Sequence, residues 1–122
     1  MNSHSSHAPR RILVVEDYID SQEITCELLR LMGHTVQGVA NAEDALSYLD
    51  ANEVDVLLTD ISLPRMSGVE LAAHALHRHP ATRVIFASGH ANFDLQKVGF
   101  SASLLSKPFD LDTLAKALEP AA

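Results

Sequence analysis

The chain has 122 residues, 47% apolar and 20% charged, which suits one ordinary domain with a real core and excludes a disordered chain. Sixteen acidic against nine basic side chains leave a net charge of −7, a sign that repels phosphate backbones and argues against nucleic-acid binding. Cys26 is the single cysteine, no apolar stretch approaches membrane-spanning length, and MNSHSSHAPR lacks the apolar segment of a signal peptide, so a cytoplasmic domain without disulfides or membrane partners is expected.

Residues 1–9 are rich in Ser, His and Asn and end in Pro9; they read as a disordered leader or an expression remnant, with one domain over residues 10–122. Arg11–Val15 (RILVV) predicts a strand. Ser21–Met32 predicts a helix with Ile24, Leu28 and Leu31 on one face and Gly33 at its C-terminal stop. Thr35–Val39 is a weaker strand, and Asn41 offers an N-cap to a helix carrying Ala45, Leu46 and Leu49. Val54–Thr59 is an apolar strand that ends in Asp60, and a helix follows from about Gly68 to His77. Arg83–Ala87 predicts a strand, Ala91–Val98 a short helix and Ser103–Ser106 a short strand. Asp110 is placed to cap a last helix reaching Leu118.

Strand and helix thus alternate five times, a (βα)5 pattern that implies an α/β domain with a parallel sheet covered on both faces. Ligands of such sheets bind beyond the carboxyl ends of the strands. Those ends carry Glu16-Asp17 on the first strand, Asp60 on the third, Ser88-Gly89 on the fourth and Lys107-Pro108 on the fifth; the second ends in Val39-Ala40, with nothing chemical. In the flavodoxin-like, doubly wound strand order 2-1-3-4-5 the four polar ends are adjacent, so three acids, a hydroxyl and a lysine converge. Three clustered carboxylates are costly unless a cation shares them, and Mg²⁺ takes carboxylates, waters and a phosphate oxygen. Lys107 and Ser88 add a point charge and a hydroxyl donor on the other flank. That combination suits a phosphoryl group, with Asp60 at its centre.

The ordered set Glu16-Asp17 after VV, Asp60-Ile61-Ser62-Leu63-Pro64-Arg65-Met66-Ser67-Gly68-Val69-Glu70-Leu71, Ser88-Gly89 after VIFA, and Lys107-Pro108-Phe109 resembles the two-component response-regulator receiver domain (CheY-like) over residues 11–118. The resemblance implies that Asp60 is a phosphoacceptor fed by a phosphohistidine of a sensor histidine kinase or histidine-phosphotransfer protein. It implies Mg²⁺, for which Mn²⁺ could substitute, bound by Asp17, Asp60 and the backbone carbonyl of Ser62, with Glu16 acting mainly through a water. Lys107 would pair with Asp60 and then with the phosphoryl group, Ser88 would donate to a phosphoryl oxygen, and the Lys107–Pro108 bond would be cis. A helical donor domain would dock near the first helix and the loop after Lys107, around Tyr18 and Ile19, and the downstream partner would be a protein.

The family places an aromatic residue three positions before the lysine; here that position is Leu104, and counting from Gly99 reaches Ser103 instead. Phe86-Ala87-Ser88-Gly89-His90 resembles a subgroup marked by Phe-Ala-Thr-Gly-Tyr and by leucine at the switch position, in which output would run through the loop and short helix after Ser88, with Gly89 as hinge. Ser62 and His90, each two positions past a site residue, would tune phosphoryl lifetime. The chain carries no output domain of its own in this reading and is a signalling module, not an enzyme. The competing reading is a pseudo-receiver that binds proteins without phosphorylation; a nucleotide-binding enzyme would want a glycine-rich loop where Glu16-Asp17-Tyr18 stands. His74, His77 and His79 read as a solvated helix face and Cys26 as a small buried hydrophobe.

Overall fold

Five short runs rich in Val, Leu and Ile form one parallel sheet in the computed structural model, which describes residues 9–89 and 92–119. The strands are β1 (Arg11–Val15), β2 (Thr35–Val39), β3 (Val56–Asp60), β4 (Arg83–Ser88) and β5 (Ser103–Ser106), in the order β2-β1-β3-β4-β5. The expected parallel sheet and its order are thereby met. Four α-helices cover it: α1 (Ile19–Leu31), α2 (Ala42–Ala51), α3 (Gly68–Arg78) and α4 (Leu111–Ala117).

The central strands are buried on both faces, which is why their sequences lack polar alternation. Leu13, Leu57 and Phe86 point into the layer shared with α2 and α3. Their neighbours Ile12, Val14, Leu58 and Ile85 point into the opposite layer, where Leu29 of α1 and Leu114 of α4 close the core. Each such side chain contributes about 1.5–3 kcal/mol on leaving water. Three of the four described α-helices begin where short polar side chains satisfy their free N–H groups, and α1, preceded by Tyr18, has no side-chain cap. Asn41 accepts from Asp44 N–H, Ser67 and Glu70 form a reciprocal capping box, and Asp110 accepts from Thr113 N–H at 2.9 Å. Gly33, at φ +97°, stops α1 in the left-handed region that glycine tolerates best.

Two expectations fail. Between β4 and β5 the predicted helix over Ala91–Val98 is a four-residue 3-10 helix, Leu95–Val98 (residues 90 and 91 lie outside the described set). Asp94 caps it through Gln96 N–H and Gly99, at φ +87°, ends it at once, so the chain has no room for a second turn. In α1 the predicted face is the wrong one: Ile24 is 60% and Leu31 81% exposed, while Thr25, Cys26 and Leu29 are buried. The stripe 25/26, 29, 32 lies about one residue's rotation from 24, 28, 31, and Leu28 borders both, so the apolar pattern alone does not choose between them. The proposed leader falls almost wholly on residues 1–8, outside the described residues.

Gly68 is the position where the fold most constrains the site. Its N–H donates to Ile61 O at 2.7 Å, and a Cβ placed on it would stand 1.9 Å from the carbonyl oxygen of Asp60. Gly68→Ala is expected to lower unfolding free energy by about 3 kcal/mol in urea titration. Gly89→Ala, whose methyl meets open space, is expected to stay within about 0.5 kcal/mol of wild type.

Candidate functional site

The carboxyl ends of β1, β3, β4 and β5 lie side by side and deliver their polar residues to one crevice. Glu16, directly after β1, is buried, whereas Asp17 is exposed at the rim. Asp60 ends β3 half-buried, and its main chain is fixed from below by Thr59, whose hydroxyl donates to Asp60 O at 2.9 Å. Ser88 ends β4 and is buried. The ladder runs one residue past β5, because Lys107 N–H donates to Ser88 O at 2.8 Å, and the Lys107–Pro108 bond is cis as expected.

Lys107 reaches across the crevice. Its Nζ stands 2.6 Å from Asp60 Oδ1 and 2.7 Å from Glu16 Oε1. Glu16 also accepts from Tyr18 N–H at 3.1 Å through its other oxygen. Burial and the neighbouring Glu16 carboxylate push Asp60 up to about 7, against the pull of Lys107. Burial works upward on Glu16 too, but the hydrogen bonds it shares with Asp60 and accepts from Lys107 and Tyr18 outweigh it and hold Glu16 below its usual range. Burial lowers Lys107, and its bonds to Asp60 and Glu16 more than restore it, so it stays charged.

Carboxylate oxygens of Glu16, Asp17 and Asp60 all lie within 4.8 Å of one another. Opposite ligands of one Mg²⁺ are about 4.2 Å apart, so the cluster matches a cation held directly by some of these oxygens and through water by the rest. The raised Asp60 makes the same point chemically, since this cluster holds more negative charge than Lys107 alone offsets. Beside it lies a cavity of about 160 Å³ whose walls include Asp60, Ser62, Ser88, Gly89 and Lys107. Five of the expected site residues are therefore gathered around one space next to the acids.

The remaining expected residues fall as follows. Leu104 pairs with Phe86 across the β4–β5 ladder and is 37% exposed, while Ser103 pairs with Ile85. Strand alternation puts Leu104 on the face of Phe86 and Ser88, and Ser103 on the other. Gly89 is exposed and His90 lies outside the described residues. His74 and His77 are exposed; the His79 ring bonds Leu49 O at 2.8 Å instead of sharing their solvated face. Cys26 is buried, which pushes its thiol up and leaves it inert.

Two features escaped the sequence. Arg65 adopts φ +68° and forks onto Glu43 of α2, and no residue-type rule expects arginine in that conformation. Phe93 packs edge-on against Phe86 at 5.8 Å between ring centroids, and Phe100 lies at 6.2 Å. Phe93 stood inside an expected helix, where nothing in its position pointed to Phe86.

A five-stranded parallel sheet with acids on two strand ends and a lysine bridging them defines an α/β domain built around an acidic, phosphate-sized crevice. The sequence pattern of the response regulator receiver domain matches residues 12–119, and the chain belongs to that family. It is 34% identical to the response regulator receiver protein CpdR of Brucella abortus over 113 residues, covering 90% of this chain and 94% of that protein. It is 33% identical to the positive alginate biosynthesis regulatory protein of Pseudomonas aeruginosa, covering 90% of this chain and 46% of that protein. The response regulator TrrA of Thermotoga maritima, solved in complex with Mg²⁺ and BeF, is 26% identical with a TM-score of 0.81 over 88% of this chain and 94% of that one. Among the described residues no helix is long and apolar enough to cross a membrane.

The crowding of acids predicts a stability effect. Asp60→Asn removes one of three clustered carboxyl groups and leaves Lys107 paired with Glu16, so the metal-free variant is expected to be more stable than wild type at neutral pH, by on the order of 1 kcal/mol. Added Mg²⁺ is expected to raise the thermal midpoint of wild type more than that of the variant, narrowing the gap. A metal-free variant less stable than wild type would contradict this reading.

Proposed function

We propose that this chain is a phosphoacceptor of a two-component system or phosphorelay, and that Asp60 takes its phosphoryl group from a phosphohistidine of a sensor histidine kinase or histidine-phosphotransfer protein. The observation that carries the reading is the Lys107 ammonium, 2.6 Å from Asp60 and 2.7 Å from Glu16, at the mouth of a cavity that Ser88 also lines. An Asp60 oxygen attacks phosphorus, the phosphorus–nitrogen bond to the donor imidazole breaks, and an aspartyl phosphate forms. Lys107 follows the charge from the Asp60 oxygens to a phosphoryl oxygen, and Ser88 donates its hydroxyl to another. Asp17, Asp60 and the Ser62 carbonyl would hold Mg²⁺ or Mn²⁺, with Glu16 acting through a water; the bound cation supplies the positive charge that offsets the phosphoryl oxygens. Asp60 is consumed in the step, so the chain acts as a stoichiometric acceptor and not as an enzyme.

Tyr18 and Ile19 are 64% and 50% exposed directly beside Glu16 and Asp17, which suits an apolar contact for a helical donor domain on α1 and the loop after Lys107. Output runs through the segment after Ser88, in the manner of the Phe-Ala-Thr-Gly-Tyr subgroup. Three observations favour this. Leu104 stands where the family's aromatic is expected, the connection holds a single short 3-10 helix, and the segment is tied to the sheet by the Phe93 ring on Phe86. A pull on Ser88 therefore reaches Phe93 through four intervening residues, and the downstream protein reads the segment's new position.

Labelled phosphohistidine donor with Mg²⁺ is expected to label wild type and leave Asp60→Asn unlabelled, while Lys107→Ala slows transfer by about 100-fold. On phosphorylation, amide exchange over residues 92–100 should change while that of β1 stays constant. Wild type that remains unlabelled would hand the function to the pseudo-receiver reading; labelling without a change in exchange would overturn the output route alone.

A further inference from the structure

Arg65 is the only described residue other than glycine with φ in the left-handed region, at +68°. Met66 N–H donates to Pro64 O at 2.8 Å, closing a three-residue turn around it. An i-to-i+2 hydrogen bond with positive φ at the centre is the rare, strained form of the γ-turn, and strained turns persist only where their surroundings impose them. Arg65 is held by Glu43 in the first turn of α2: its Nε meets Glu43 Oε2 at 3.2 Å and its terminal nitrogen meets Oε1 at 3.3 Å, a two-pronged fork. Both side chains are largely exposed, so the pair adds little to global stability. A contact of that size can still bias a local choice, between positive and negative φ at Arg65.

That choice bears on the crevice because the turn sits between two anchors. Asp60 ends β3 on one side, and Gly68 donates to Ile61 O on the other, so residues 61–67 form one short closed loop. Ser62, whose carbonyl the proposed function assigns to the cation, lies inside it. We infer that the Arg65–Glu43 fork is a clasp that holds the 64–66 turn in its strained form and so pre-organises the loop for the cation, making Arg65 and Glu43 positioning residues for the Asp60 site. The inference rests on the proposed Mg²⁺ site. A side chain without the clasp returns to negative φ, and the apparent affinity falls in proportion to the fraction of loop still competent.

The test is Mg²⁺ affinity by calorimetry, together with amide exchange at Met66 in the metal-free protein, on full-length variants. Arg65→Ala and Glu43→Ala are each expected to weaken Mg²⁺ binding about tenfold and to speed Met66 exchange. Arg65→Gly also removes the clasp but reaches positive φ without a penalty, so its affinity should stay within about twofold of wild type. Charge alone predicts opposite signs for Arg65→Ala and Glu43→Ala, because one removes a cation near the acids and the other an anion. Opposite signs, or an Arg65→Gly loss equal to that of Arg65→Ala, would overturn the clasp. If wild type binds no Mg²⁺ the metal reading fails by itself, and Met66 exchange still decides whether the fork holds the turn: unchanged exchange in Arg65→Ala and Glu43→Ala would reject it.

Discussion

The crevice at the strand ends is organised by one ammonium group placed between two carboxylates that the sheet will not let separate. Glu16 and Asp60 end neighbouring parallel strands, so their spacing is fixed by the backbone ladder and not by side-chain choice. Burial makes their shared charge unfavourable, and Lys107, from the far edge strand, reaches over to offset part of it. What remains is an excess of negative charge beside a small polar cavity. A divalent cation offsets that excess, and with it in place the cation, Lys107 and Ser88 can face the negative oxygens of a phosphoryl group, which is why an arrangement so crowded with acids suits phosphoryl chemistry.

The rest of the fold keeps this arrangement from relaxing. Thr59 and Gly68 clamp the Asp60 main chain from two sides, and the Gly68 contact leaves no room for even one added carbon. Lys107 is tied into the β4 ladder through Ser88 O, so the main chains that carry the hydroxyl and the ammonium hold one register. Among the described residues, the connection from β4 to β5 covers the sheet with a 3-10 helix and a few apolar side chains where an α-helix was expected. An acidic centre fixed on strand ends beside a segment with no α-helix of its own is an arrangement that can turn a local charge change into a shape change.

Much of this was legible in the sequence because it lies in strand ends. Buried parallel strands write themselves as apolar runs, and the residue at which a run stops is fixed to within a position or two, so Asp60, Ser88 and Lys107 could be assigned to one edge. The helices were less readable. In α1 the apolar residues Ile24, Leu28 and Leu31 make as good a stripe as the buried one, and only packing against β1 and β2 decides. The helix after β4 was misread because Leu95 and Val98 stand three apart, a helical spacing, while both pack on the Phe86 layer from a single 3-10 helix. The Arg65–Glu43 fork joins residues 22 positions apart through a backbone conformation that arginine disfavours, so neither propensity nor pattern points to it.

The most direct test of the central claim is the intact mass of the protein after incubation with acetyl phosphate, with and without Mg²⁺, for wild type and Asp60→Asn. The account predicts a gain of a single phosphoryl group in wild type only, and only with the cation present. A gain that persists in Asp60→Asn, or one indifferent to Mg²⁺, would contradict it, because the crevice at Asp60 would then not be where the chemistry happens.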